Sequence, residues 1–177
     1  GRRSAAVIET GAASSVPRLL AAIAQAGLAR EDVSHVVVTH AHLDHAGGAG
    51  ALLRELPRAL LVAHPRAVRH LVDPAKLMAG ATAVYGEARF KELYGEVVPA
   101  PAERVVEAPE GFGIDLGDRP IRFLDAPGHA RHHLVAVDQA RRGVFTGDAF
   151  GLSYRETDAG GRPFLFPTTT PVQLDPP

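Results

Sequence analysis

The stretch Thr39-His40-Ala41-His42-Leu43-Asp44-His45-Ala46-Gly47-Gly48 decides how this chain is read. Three imidazoles and a carboxylate fall within six positions, directly after the β-branched run His35-Val36-Val37-Val38-Thr39 and directly before a helical pattern from Gly48 to Leu56. Burying such groups without a strong partner costs about 2–7 kcal/mol each. A cation removes that penalty, because neutral imidazole and carboxylate are good ligands for zinc, iron or manganese. In an extended turn, His40 and His42 point to one side while Asp44 and His45 turn toward a neighbouring position. The plain alternative is an exposed polar loop.

Outward from this stretch the chain alternates strands and helices. Val7-Ile8-Glu9 reads as a short strand ending at the turn Thr10-Gly11. Ser14 or Ser15 caps a helix with Pro17 in its first turn. Val16, Leu19, Leu20, Ile23 and Leu28 recur at helical spacing, and Gly27 marks the stop. Leu60–Ala63 is a strand, and residues 65–95 are helical in two or three pieces, broken near Asp73-Pro74 and Gly80. Strands follow at residues 104–106, 113–116, 121–124, 134–137 and 144–146. From Gly160 the chain reads as an irregular loop, with Pro163, Pro167 and Pro171 around Thr168-Thr169-Thr170. Strand–helix units early and strands later give mixed α/β layers in a single domain over residues 1–177.

Composition narrows the function. With 46% apolar and 22% charged residues in 177, the chain has the make-up of a globular domain with a proper core. A net charge of −1 gives no basic footprint for nucleic acid or an anionic membrane. Zero cysteine leaves imidazole and carboxylate as the metal ligands. No apolar run has the length of a membrane span or a signal-peptide core, so a cytoplasmic enzyme acting on a small molecule is expected.

The order His-x-His-x-Asp-His followed by Gly-Gly resembles the signature of the metallo-β-lactamase superfamily. The resemblance extends to Asp125-Ala126-Pro127-Gly128-His129 and to Val144-Phe145-Thr146-Gly147-Asp148, a His after a strand and an Asp after another. It implies a four-layer αββα sandwich with a metal site at one edge between the sheets. It also implies that His40, His42 and His129 bind a first metal, that Asp44 and His45 help to bind a second, and that Asp148 bridges the two. One or two Zn2+ are implied, with Fe2+ or Mn2+ as alternatives.

Departures from the pattern also carry information. Family members close the second site with a later His, and no His follows His133 here. They also begin with strands ahead of the one at Val7. Both features, with an opening Gly1 and a closing Asp175-Pro176-Pro177, read as a fragment lacking N-terminal strands and C-terminal elements. Glu9 stands where the family often has Asp. An open sheet edge makes self-association of two copies an expectation.

Beyond the ligand set, Asp44 is the candidate to orient water or act as base, and Tyr154, six residues after Asp148, is a candidate to polarise a carbonyl. His132 and His133 are equally consistent with supporting the ligands and with packing. His64, His35 and His70 read as structural. Gly47-Gly48 fits either an anion-binding turn or close packing, and Phe90, Tyr94, Phe150, Phe164 and Phe166 fit either a pocket or a core. The resemblance implies a hydrolase that uses a metal-bound hydroxide on a small ester, thioester or lactone, similar to glyoxalase II or a lactonase. Its rivals are a mononuclear iron persulfide dioxygenase and a truncated protein that binds metal without turnover.

Overall fold

The computed structural model describes residues 4–168. Its first sheet is built from β1 (Ala5–Ile8), β2 (Val33–Val37), β3 (Leu60–Ala63) and β4 (Val105–Glu107), adjacent in that order and all parallel. Its second is an antiparallel meander of β5 (Gly113–Asp115), β6 (Pro120–Asp125), β7 (Leu134–Asp138) and β8 (Gly143–Phe145). The helices are α1 (Val16–Gln25), α2 (Leu43–Ala46), α3 (Ala49–Glu55), α4 (Pro65–Val72), α5 (Ala75–Tyr85) and α6 (Glu87–Tyr94).

Strand period sorts the core into two layers. Val36, Val38, Leu61 and Ala63 face the helices and pack with Ile23, Leu52, Leu53, Ala67 and Leu71. Their neighbours Val37 and Val62 face the other way, onto Ile114, Ile121, Phe123, Leu134 and Ala136 of the second sheet. The first sheet is thus covered on both faces, which explains the unbroken buried apolar runs Val36-Val37-Val38 and Leu61-Val62-Ala63 in and just beyond its central strands. In the second sheet, buried Ile121 and Phe123 flank exposed Arg122, as expected for a sheet with one dry face. Apart from single 3-10 turns, no helix among the described residues follows residue 94, so these residues build a helix layer and two sheets, the mixed α/β arrangement expected. No helix among them is long and apolar enough to cross a membrane.

Three local expectations need correction. The helical break lies at Gly86 (φ 77°), not at Gly80, which sits inside α5 with open space around it. A helix tolerates an interior glycine at a cost of about 1 kcal/mol, whereas a left-handed φ ends it. Asp44 and His45 lie on the helical turn α2, not in an extended turn, because His45 and Ala46 both donate backbone hydrogen bonds to the His42 carbonyl (3.0 and 2.8 Å). The strand expected to include Glu9 stops at Ile8, since Glu9 adopts φ 68°. Of the expected irregular tail, residues 169–177 lie outside the described residues; before them, Leu152 and Phe166 form an isolated antiparallel bridge.

Candidate metal centre

The first sheet presents its C-terminal ends to the site. After β2 the chain passes through Val38 and Thr39, both buried, and delivers His40 with no exposure to solvent. The turn α2 then carries Asp44 and His45, and it is tied to the end of β1 by the Thr10 N–H and hydroxyl, which both donate to the His45 carbonyl at 2.9 Å. Gly47 and Gly48 serve close packing: a Cβ on Gly48 would lie 3.1 Å from the Ala12 carbonyl and 3.2 Å from that of Thr10. From the second sheet come His129, between β6 and β7, and Asp148, just beyond β8.

These elements bring five of the six expected ligands together in two overlapping groups. His40, His42 and His129 form one, and His40, His45 and Asp148 form the other, with the ligand atoms of each group within 4.8 Å of one another. His42 Nδ1 lies 3.0 Å from both His40 Nε2 and His129 Nε2. Asp148 spans the groups: one carboxylate oxygen is 3.2 Å from His45 Nε2 and the other 3.3 Å from His129 Nε2. Asp44 stands at the margin, largely exposed, with an oxygen 3.7 Å from His45 Nε2.

Electrostatics differ between the two groups. Burial, then neighbouring imidazoles, holds His40 far below the usual imidazole range and His42 down at about 4, so both are neutral near pH 7 with lone pairs to offer. For His45 burial acts against the charge, but the Glu9 hydrogen bond and the charges of Glu9, Asp44 and Asp148 outweigh it and raise the imidazole. Imidazole nitrogens converge on one point, and carboxylates gather around the next. Both donor sets fit a divalent cation, and the carboxylate-rich one already draws positive charge toward itself.

Around the ligands stands a ring of positioning contacts. Glu9 accepts the Thr39 N–H through one oxygen and faces His45 Nδ1 with the other, each at 2.8 Å, which turns His45 Nε2 inward. His133 accepts the Asp148 N–H (3.1 Å) and His132 accepts the Ala41 N–H (3.3 Å). Burial first, then nearby imidazoles, lowers His133 to about 3 and His132 to about 4, so both stay neutral and able to accept. His64 accepts the Arg66 N–H at the start of α4, a structural duty. His35 contacts Ser34 and stays away from the site.

The ligand groups open into a cavity of about 980 Å³, whose lining includes His42, Asp44, His129 and Asp148. Tyr154 is not in that lining: it is 57% exposed and packs on Phe166 instead. The cavity tyrosines are Tyr85 and Tyr94; Tyr94 is pushed up to about 12 by burial, then by Tyr85 and Asp44, and keeps its proton. Phe90 is buried, while Phe150 and Phe164 are exposed and away from the cavity. His70 does reach the cavity wall, with its ring 5.7 Å from that of His132.

Comparison with known proteins agrees with this geometry. The family model of the metallo-beta-lactamase superfamily matches residues 1–172. The metallo-beta-lactamase fold-containing protein ST1585 of Sulfurisphaera tokodaii is 30% identical over 147 residues, covering 80% of this chain and 51% of the relative. A hydroxyacylglutathione hydrolase of Cupriavidus taiwanensis is 35% identical over 152 residues, covering 84% and 46%. The crystal structure of ST1585, an archaeal metallo-beta-lactamase superfamily protein from Sulfolobus tokodaii, superposes with a TM-score of 0.74 at 26% identity, over 99% of this chain and 62% of that one. The chain spans about half the length of the curated relatives it matches.

Proposed function

Since the chain belongs to the metallo-beta-lactamase superfamily, we propose that it is a metal-dependent hydrolase that cleaves a small thioester, ester or lactone at a centre of two zinc ions. The observation that carries this reading is the pair of ligand groups, sharing His40 and spanned by the two oxygens of Asp148, at the wall of one cavity. Matches to hydroxyacylglutathione hydrolases favour a thioester among the three substrate types.

In this reading His40, His42 and His129 would hold the first ion, and His45 and Asp148 would hold the second with Asp44 beside them. A bound zinc supplies Lewis acidity and lowers the pKa of water to about 7. The protein's own groups do the rest. Asp44, exposed on the cavity side of α2, accepts a proton from the attacking water and orients it. Tyr94, protonated and facing the same space, offers a hydroxyl to the substrate carbonyl. Glu9, His132 and His133 fix the loops so that the ligand atoms converge before substrate arrives.

The test is metal content and turnover together. After chelator washing and zinc reloading, about two zinc ions per chain are expected, with hydrolysis of simple thioesters such as S-acetylglutathione. Full metal loading without turnover of any thioester, ester or lactone would defeat the hydrolase reading. One iron with oxygen consumption would replace it by an oxygenase.

A further inference from the structure

Part of the cavity wall is basic, although the chain as a whole is nearly neutral. Arg66 and Arg69 on α4 and Lys76 on α5 line it together with Arg131. Among the described residues, Arg66, Arg69 and Lys76 form no ion pair with a carboxylate. Arg66 reaches only the Arg131 carbonyl (3.4 Å), and Arg69 Nε lies 3.2 Å from His70 Nε2.

The positions of Arg66 and Lys76 are unfavourable for their helices, whereas Arg69 lies in the last turn of α4, where a cation suits the dipole. Arg66 and Lys76 each occupy the second position of a helix, and neither α4 nor α5 has an acidic residue in its first turn. Cations at helix N-termini oppose the helix dipole by about 0.3–1 kcal/mol each. Arg66 and Arg69 are also spaced i,i+3, so that like charges meet on one face. The N-terminus of α4 therefore adds positive potential to this wall, whereas that of α5 is capped by Asp73, whose carboxylate accepts the Ala75 N–H at 3.2 Å. The field reaches inward: burial first, then Arg69 and Lys76, hold His70 below the usual imidazole range. From His70 the path to the metal ligands is two ring contacts, His70 to His132 at 5.7 Å and His132 to His42 at 5.6 Å. Beyond Lys76, α5 continues the cavity with an apolar strip of Leu77, Ala81 and Val84.

We propose that Arg66, Arg69 and Lys76 form an anion-binding subsite, and that the substrate is a thioester whose thiol arm ends in a carboxylate or phosphate. This deepens the hydrolase reading and rests on it for the identity of the scissile bond. The anion sits on the α4–α5 wall, the uncharged part of the arm lies along the apolar strip, and the carbonyl reaches the metal ligands. The reaction that supplies such a substrate is acyl transfer onto an acidic thiol carrier.

Binding of uncleavable thioethers, measured by calorimetry, tests the subsite without catalysis. S-ethylglutathione is compared with its diethyl ester, and S-ethyl-4′-phosphopantetheine with S-ethylpantetheine. The anionic member of at least one pair should bind tighter by on the order of tenfold to a hundredfold, as for charge-assisted hydrogen bonds, and the advantage should shrink with salt. The pair that discriminates tells carboxylate from phosphate. In Arg69→Gln/Lys76→Gln the ratio should fall toward one, and in Arg69→Lys/Lys76→Arg it should persist. Equal affinities within both pairs, or no binding of any probe, would overturn the proposal. Hydrolysis of the matching S-acetyl thioesters is scored separately. Charge preference without turnover removes the hydrolase reading and keeps the subsite; turnover without charge preference does the reverse.

Discussion

The two sheets contribute to the centre in different ways. The parallel sheet is covered on both faces, and one turn after β2 supplies His40, His42, Asp44 and His45 almost contiguously. The antiparallel sheet is exposed at β8, where Val144 and Phe145 are 53% and 41% accessible, and it supplies His129 and Asp148 one at a time. A covered sheet can hold a crowded ligand turn rigidly through its own packing. An exposed one needs contacts back to its partner, and these concentrate at Gly147. Its φ is 48°, and a Cβ there would lie 2.4 Å from Thr39 Oγ1 and 2.9 Å from His133 Nε2. Thr39 Oγ1 contacts His40 Nδ1 at 3.0 Å, and His133 holds Asp148. Gly147→Ala should therefore disturb both ligand groups and destabilise the fold by roughly 3–5 kcal/mol, from overpacking plus left-handed strain. Denaturant unfolding and metal stoichiometry check this; a variant with wild-type values of both would dissolve the link between the sheets.

Next in size is the contrast in packing itself. Leu53 is fully buried between α3 and the first sheet, and Leu53→Ala should lower stability by about 2–5 kcal/mol. Phe145→Ala, on the exposed strand, should lower it by about 1 kcal/mol or less. Equal losses in thermal unfolding would mean that the outer strand is as firmly integrated as the core.

Acid sharpens the comparison at the ligands. In the metal-free protein His42, His132 and His133 are lowered to about 4, 4 and 3 by burial first and then chiefly by neighbouring imidazoles. The unfolded chain binds protons on these groups below about pH 6.5 while the folded one does not, so their contribution is present above that pH and lost as pH falls toward 3–4. Stability should drop by about 1.4 kcal/mol per pH unit for each such imidazole. Thermal melts from pH 7 to pH 4 measure it; a flat profile would contradict neutral, buried imidazoles.

Most of the candidate centre was legible because its residues are local signals. Three of the five that converge, His40, His42 and His45, share one turn, while His129 and Asp148 each follow a strand next to a glycine. The sheets were legible from β-branched runs, with ends displaced by one or two residues. Contacts between distant segments were not legible. Nothing local says that His132 and His133 accept the amides of Ala41 and Asp148. The basic cavity wall depends on how α4 turns against α5, which the polar pattern of residues 65–95 does not specify. Spacing from Asp148 pointed to Tyr154, but Tyr154 is exposed and packs on Phe166, and the tyrosines that line the cavity are Tyr85 and Tyr94.

Glu9 separates the two ligand groups most finely, because it immediately follows β1 of the parallel sheet and touches only one of them directly. Its carboxylate faces His45 Nδ1, whereas the all-imidazole group has no carboxylate ligand of its own. Glu9→Gln preserves size and an acceptor for the Thr39 N–H but removes the charge that makes His45 a stronger donor. Loss of such an outer contact weakens metal binding by about tenfold at the low end of the usual range, close to 1.4 kcal/mol. Chelator competition should show one ion released earlier and the other unchanged. If both ions weaken equally, Glu9 acts through Thr39 and His40, which the groups share, and the centre is one mechanical unit. If neither weakens, the position of His45 is set by α2 and its ties to Thr10 alone.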